Sequence, residues 1–530
     1  MNQGATWYPL THRPFRSFWS AGALVNLAIW MQTVGAAWIM AGLTESAWMV
    51  SLVQTAMTLP VFLFGLPGGV IADLVNRKYW LLFTQSLMLL ASTLLCLLAF
   101  AGVLQAWSLL LLTFVLGTGS ALSMSAWMAV TLTLIPREVV PAAVALNAIS
   151  TNVARALGPA IAGLLIALAG QASMFLLIAL CFLGVMLFLI YWRWQRVPDV
   201  LPPETFMGGM RSGLRYIRHS IELTSSLKQV FVFTSCASAL WALLPLVARD
   251  QLAMEADGYG MLMGALGAGA VIAAVNLTRL YRQFELRKLV VVGAVAFAMV
   301  SAAVAVLKIA WLVWVLLVVA GIAWMAVNAT IATIVQTCAA DWVRARVASV
   351  YLLMYMGAMA LGGAIWGLLA EYLGTSNSLL ISALAVVLGL WLTRDGVFAL
   401  GSEADYRSVS QTDKLVVAGE VAHSDGPVSV EISYRATAAA QADFIQAAYA
   451  VGKSRRRNGA RNWRLYRDLA DPERFVERFI VESWLDYLRQ RARVTQADQI
   501  RETQLQRYLA EANTSTKRYI SQANVEMEWH

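Results

Sequence analysis

The chain has 530 residues, of which 59% are hydrophobic and 13% charged, with a mean hydropathy of +0.63 and a formal net charge of +9. Soluble domains keep about a quarter of their residues charged, so this composition excludes a soluble protein over most of the length. The positive balance does not predict a nucleic-acid partner, because most basic residues sit in short connections where membrane orientation explains them.

A bilayer crossing takes about 20 apolar residues. Twelve such runs occur, near 18–41, 47–71, 79–101, 107–134, 142–168, 171–192, 229–248, 257–279, 287–307, 310–336, 346–371 and 376–398. The first is too long for a signal-peptide core, and no small-residue cleavage site separates it from the spans that follow. Taking alternate connections, one side carries Arg13, Arg16, Arg77, Lys78, Arg137, a cluster from Arg193 to Lys228, then Arg279 to Lys288, Arg344, Arg346 and Arg394. The other side carries Arg249 and Lys308. That asymmetry predicts that both termini and the 193–228 linker face the cytoplasm. The expected division is a six-helix bundle over 1–192, the linker, a second bundle over 229–398, and a soluble domain over 399–530.

Between the second and third runs lies "GGVIADLVNRKYWLL" (68–82), which sets Asp73 beside Arg77 and Lys78 in otherwise apolar surroundings. The fifth run, "ARALGPAIAGLLIALAG" (154–170), matches "AMALGGAIWGLLAEYLG" (358–374) in the eleventh at ten of seventeen positions without a gap. Equivalent segments predict two pseudo-symmetric halves, the arrangement transporters use to rock around a site near the midplane. Chance alignment of Gly/Ala/Leu runs, or plain helix packing by small residues, is the alternative.

Arg155 falls near the middle of the fifth run. An arginine at that depth costs about 2.5–3.5 kcal/mol on insertion scales, so it should face a bundle interior or water. It reads as a counter-charge for an anionic substrate, or as a structural partner of backbone carbonyls and Asn152. Gly158 and Pro159 follow and loosen the helix, since proline removes an intrahelical hydrogen bond. No Asp, Glu or His lies in the middle of any run; Asp250 and Glu371 fall at outer ends and Asp73 at an inner end. The remaining candidate lining is polar and uncharged: Asn26, Gln32, Gln54, Asn147, Asn328, Tyr351 and Tyr355, with Trp241 and Trp324 adding aromatic surface. Amides and aromatics suit a bulky amphipathic ligand, although many such groups only pack helices.

Cys96, Cys181, Cys236 and Cys338 stand singly in apolar runs, without CxxC or a neighbouring histidine, which speaks against a metal site or disulfide framework. No G-x-x-x-x-G-K-[ST] stretch occurs, so no nucleotide hydrolysis and no cofactor are expected. Beyond residue 400 the chain turns charged. "VSVEISY" (428–434) alternates as a strand; a helix near 438–456, strands near 462–468 and 474–481, and helices near 482–492 and 496–512 follow, with "VEMEW" (525–529) as a last strand. This order predicts a ferredoxin-like α+β unit. Trp463, Tyr466 and His530 are its candidate polar aromatics, and no nucleophile–base pair forms by spacing. The basic run 453–461 could lie against an anionic leaflet.

These features together resemble the major facilitator superfamily. Its loop between spans two and three reads Gly-x-x-x-Asp-(Arg)-x-Gly-Arg-(Lys/Arg), which here supplies Gly69, Asp73, Arg77 and Lys78, with Leu74 and Asn76 departing from it. "GVIADLVNRK" and "NAISTNVARALGPAIAGLL" are similar to the transmembrane secretion effector branch, which includes enterobactin-type exporters and macrolide efflux proteins. The resemblance implies an all-α membrane protein of twelve helices in two pseudo-symmetric bundles, in a bacterial inner membrane, that exports a siderophore, antibiotic or related metabolite. It implies proton-driven antiport by alternating access, and a gate made of Gly69, Asp73, Arg77, Lys78, Gly158 and Pro159, with Asp73 capping the eleventh helix. The second half has Ala274 where Asp73 would fall, so the latch is expected on one half only. The acid-free interior also allows electrogenic export of an anion, helped by about 2.3 kcal/mol per charge per 100 mV.

The tail resembles the dimeric barrels of antibiotic-biosynthesis monooxygenases. That leaves a membrane-anchored enzyme or sensor as the second hypothesis, with possible dimerisation through the C-terminal domain. Partners are a small-molecule substrate and membrane lipids.

Overall fold

The computed structural model describes residues 7–136, 139–192, 206–340, 342–397, 421–509 and 514–521. The chain forms two compact units, one of 1–201, 227–331 and 351–395, the other of 202–226, 332–350 and 396–530.

The first unit is a helical membrane body. Its helices are α1 (Arg13–Leu43), α2 (Ala47–Leu74), α3 (Arg77–Phe100), α4 (Ala106–Thr133) and α5 (Val140–Tyr191) in the first half. The second half holds α7 (Ile221–Leu246), α8 (Ala256–Gln283), α9 (Leu286–Val306), α10 (Ala310–Thr337), α11 (Arg344–Leu373) and α12 (Thr375–Leu392), after the linker helix α6 (Phe206–Arg218). Among the described residues, eleven helices are long and apolar enough to cross a membrane. The difference from the expected twelve lies in α5, which runs for 52 residues through a non-helical Gly170 at φ 78°. Its two arms correspond to the fifth and sixth apolar runs.

Gly170 is the last residue of the first repeat, and Gly374, the last of the second, takes φ 83° between α11 and α12. Both need the left-handed region that glycine enters freely. The repeat therefore ends in the same turn in both halves. It also packs alike. A methyl at Gly163 would lie 2.5 Å from the Ala256 carbonyl, at the start of α8, and one at its equivalent Gly367 would lie 3.4 Å from the Ala47 carbonyl, at the start of α2. So α5 crosses α8 as α11 crosses α2, each helix of one half against the other half. Loops are closed by side chains: Ser46 accepts from the Met49 N–H, and Asn76 from the Lys78 N–H.

The second unit contains α6, the facing ends of α10 and α11, and an α+β domain. Strands β1 (Val428–Arg435), β2 (Arg461–Arg467), β3 (Arg474–Val481) and β4 (Ser515–Ile520) form one antiparallel sheet in the order β2-β3-β1-β4. Helices α13 (Gln441–Asn458), α14 (Trp484–Ala492) and α15 (Gln496–Gln506) complete the ferredoxin-like order. Val428, Val430, Ile432 and Tyr434 alternate onto one face of β1 and join Phe444, Val451, Phe475 and Phe479 in its core. The last described strand lies at 515–520; the expected strand at 525–529 falls outside the described residues.

In the same unit Tyr216 of α6 is fully buried, its hydroxyl donating to the Cys338 carbonyl at 3.4 Å and accepting the Ala340 N–H at 3.2 Å. Arg457 lies 5.2 Å from the Tyr216 ring centre, and Arg493 lies 4.1 Å from that of Trp342. Burial, and then Arg461, hold the Arg215 guanidinium below its usual pKa, against Glu482 and Asp486.

Candidate functional site

We call the end of the membrane body where α1 begins the near end, and the opposite end, where α2 and α8 begin, the distal end. The site is built where the halves cross. Pro159 has no N–H to give the Arg155 carbonyl, four residues back. That carbonyl faces α8, and a methyl at Gly267 would lie 3.2 Å from it. Gly260 sits against the Pro159 carbonyl in the same way, at 2.7 Å. Small residues on α8 thus let the loosened turn of α5 approach closely.

The Arg155 side chain projects from this crossing. Its guanidinium carbon lies 5.0 Å from the Trp30 ring centre on α1, and it interacts electrostatically with Tyr355 of α11. Its Nε is buried without a hydrogen-bond partner, and no carboxylate pairs with it among the described residues. Tyr355 belongs to an aromatic wall. Its ring stacks on Tyr351 at 6.3 Å, and the Trp324 indole N–H donates to its hydroxyl. Trp324 in turn packs on Trp241 at 5.5 Å, Phe233 at 5.7 Å and Phe297 at 5.6 Å. Cation, phenols and indoles from both halves therefore meet at one place, an arrangement that can hold a flat or oxygen-rich anion.

The other predicted lining residues divide. Gln54 faces the seam, its Nε2 3.9 Å from Met359 Sδ, beside a cavity of about 30 Å³ lined also by Trp30, Thr33, Trp241 and Tyr259. Tyr351 donates to the Asn328 carbonyl at 3.2 Å, while the Asn328 amide is spent on the Trp324 carbonyl at 3.0 Å and on Thr234 at 3.4 Å. Asn328 thus supports the aromatic wall from behind. Gln32 is buried and donates to Thr113 of α4 at 3.2 Å, and Asn26 donates to Ser150 at 3.4 Å and Thr151 at 3.5 Å. Both join helices of the first half. Asn147 is half-buried one turn below Thr151, whose hydroxyl donates to its carbonyl at 3.0 Å.

The predicted gate divides as well. Gly69 lies against Ser125 of α4, where a methyl would stand 3.2 Å from the hydroxyl, and Gly158 lies against Trp30. Lys78 donates to the carbonyls of Ile190 at 2.9 Å and Trp192 at 2.6 Å, closing the end of α5. Arg77 is half-buried at the start of α3, and Asp73 stands in the last turn of α2 with its side chain outside the described residues. Pro159 touches the opposite half through its carbonyl, which faces Gly260 of α8.

At the distal end the halves are closed. Trp38 stacks on Tyr259 at 5.5 Å, and Thr55 donates to the Ala360 carbonyl at 2.9 Å. Glu371 accepts from Ser46 at 3.0 Å and from the Trp48 N–H at 3.2 Å. Trp30 and Tyr259 were not among the residues singled out from the sequence, and Glu371 was noted there only as an acid at an outer end. The spacing of Gly260 and Gly264 on α8 was a readable sign of a close helix crossing.

In the second unit, buried Glu477 accepts from Tyr434 and from Trp463, each at 2.6 Å, and pairs with Arg455 at 3.4 Å, which also meets Glu502 at 2.7 Å. Burial works against the Arg455 charge, but Glu502 and Glu477 hold its pKa above the usual value. Burial likewise opposes the Asp498 charge, and Arg457 at 2.6 Å with hydrogen bonds from Ser454, Thr495 and Asn458 keeps its pKa below normal. Trp463 is thus committed to structure. Tyr466 is exposed, and His530 lies outside the described residues.

A family model described as transmembrane secretion effector matches residues 4–526. The staphyloferrin A transporter of Staphylococcus aureus is 22% identical over 70% of this chain and 93% of its own. The enterobactin exporter EntS of Escherichia coli O1:K1 is 25% identical over 77% of this chain and 96% of its own. Among solved structures, the nucleoside transporter NupG superposes with TM-score 0.59 at 12% identity, over 72% of this chain and 99% of its own. A bacterial homolog of the lysosomal transporter Spinster superposes with TM-score 0.58 at 13% identity, over 72% of this chain and 96% of its own.

Proposed function

Because the chain belongs to the transmembrane secretion effector family, a multi-pass transporter family of the major facilitator type, we propose that it exports an anionic, amphipathic metabolite by alternating access. The cargo is of the siderophore class, in line with the staphyloferrin A and enterobactin named for two relatives. The observation that carries this reading is Arg155. A cation at the seam of the two halves, flanked by Trp30 and Tyr355 and without a carboxylate among the described residues, is an incomplete ion pair that an anionic ligand completes. The basic near end supports a cytoplasmic placement of both termini in a bacterial inner membrane, with the distal end outside.

The test is uptake of catecholate and citrate-type siderophores into inside-out vesicles of the full chain. Arg155→Gln abolishes saturable uptake under the proposal; unchanged uptake of every cargo ends it. A proton-driven cycle follows the imposed pH gradient, whereas electrogenic export slows and loses accumulation against a gradient when the voltage is clamped to zero. The lack of a carboxylate beside Arg155 among the described residues favours the second, and undiminished flux at zero voltage refutes it. The 69–78 loop acts as the inner gate in this cycle, so Asp73→Asn lowers flux while leaving the protein in the membrane.

A further inference from the structure

We propose that Glu371 is the latch of the distal gate, a carboxylate that closes that face by capping the N-terminus of α2 from the opposite half. A helix start leaves its first N–H groups without intrahelical acceptors. Ser46 satisfies that of Met49, and the N–H of Trp48 is taken by Glu371, with Ser46 Oγ donating to the same carboxylate oxygen. Residues more than 300 positions apart in the chain are joined by this one side chain.

Glu371 is badly placed on its own helix. It stands in the last turn of α11, where the helix dipole disfavours an anion, and it becomes favourable only when the positive end of α2 lies across from it. The conflict is relieved in one arrangement of the halves and not in the other, which is what a ligandless switch requires. Fold alone does not demand an acid there, since the equivalent position of the first repeat is Ala167. Glu45, exposed in the preceding loop, adds a second negative charge at the same rim.

Below the rim the α2–α11 seam is tight and mostly uncharged. Ser51 meets Gly367, Phe62 meets Gly357, and Thr55 bonds to Ala360. Glu371 and Ser46 occupy the solvent edge of that seam, the place where opening begins. The latch holds by one charge and two hydrogen bonds, weak enough to release within a transport cycle.

The inference rests on alternating access, and the experiment separates the two. Full-length protein in lipid nanodiscs, with its four native cysteines replaced by alanine, carries spin labels at Val103→Cys and Lys308→Cys, one in a distal loop of each half. Distances are measured with and without cargo. Wild type shows a short and a long population that exchange. Glu371→Ala raises the ratio of long to short about two- to fivefold, the size of an exposed charge at a helix N-terminus, and Glu371→Gln raises it less because its amide oxygen still accepts. Thermal unfolding stays unchanged, which a purely structural contact would not allow. Two exchanging populations whose ratio ignores Glu371→Ala overturn the latch and leave the transport reading standing. A single population in wild type under every condition overturns both.

Discussion

The membrane seam and the C-terminal domain use buried charge in opposite ways. In the domain, every buried ion described above has been answered: Glu477 by Tyr434, Trp463 and Arg455, Asp498 by Arg457 and its hydrogen bonds. At the seam, Arg155 has an aromatic face and a phenol but no counter-ion among the described residues. A satisfied network holds a fold in one state, and removing one member leaves the rest stranded. A buried charge without a counter-ion is costly to the resting fold, and the proposed function accounts for it by an arriving anion. The contrast places a satisfied network in one region and, under the proposed function, ligand recognition in the other.

The largest effect that can break this contrast is in the domain. Glu477→Ala should cost about 3–5 kcal/mol, because Arg455 loses a partner and the Trp463 and Tyr434 donors lose their acceptor. Chemical unfolding of the full chain followed by tryptophan fluorescence measures it, and a loss below about 1 kcal/mol would erase the distinction. Next comes Arg155→Gln, expected to cut cargo flux at least tenfold, or about 1.4 kcal/mol. It should leave the melting temperature equal or higher, since a mid-depth arginine costs about 2.5–3.5 kcal/mol to insert. A flux defect accompanied by a large drop in melting temperature would move Arg155 to the structural side.

Lys78→Met sharpens the comparison at smaller scale. Its ammonium closes the end of α5 on two carbonyls, so its removal should cost about 0.3–1 kcal/mol and leave cargo affinity untouched. The smallest effect belongs to His219, at the junction of α6 and α7. Burial, then Arg456, Arg218 and Arg215, lower its pKa below the usual value. Between the folded and unfolded values the unfolded chain binds more protons, so stability falls as pH drops below about 6.5 and levels off once the folded value is passed. His219→Gln should flatten that slope in hydrogen exchange of α6.

The membrane body was legible because span length is written in runs of apolar residues; the repeat was read as a sign of matched halves, and the turn that Gly170 and Gly374 both make at its end was not read from it. Continuity of helical bonding through α5 was not legible, since one glycine marks a break or a bend equally well. Strand β4, "STKRYI", escaped notice because five of its six residues are exposed and no period of two is left in its polarity. The inward position of Arg155 could be read from depth alone. Glu371 could not, because its partner lies on a helix in the other half and only pairing in space joins them. Gln32 and Asn26 show the reverse failure: amides in an apolar run look like lining, and whether they face ligand or Thr113 and Ser150 depends on helix rotation.

The second unit is assembled from three stretches far apart along the chain, 202–226, 332–350 and 396–530. At a synthesis rate of about 5–20 residues per second, Tyr216 leaves the ribosome tens of seconds before Arg457 exists to cover its ring. The whole second half of the membrane body is therefore made, and threaded into lipid, while α6 still waits for its cover. A chain cut short before α13 leaves that face bare, a ready mark by which quality-control proteases can tell an unfinished copy from a finished one.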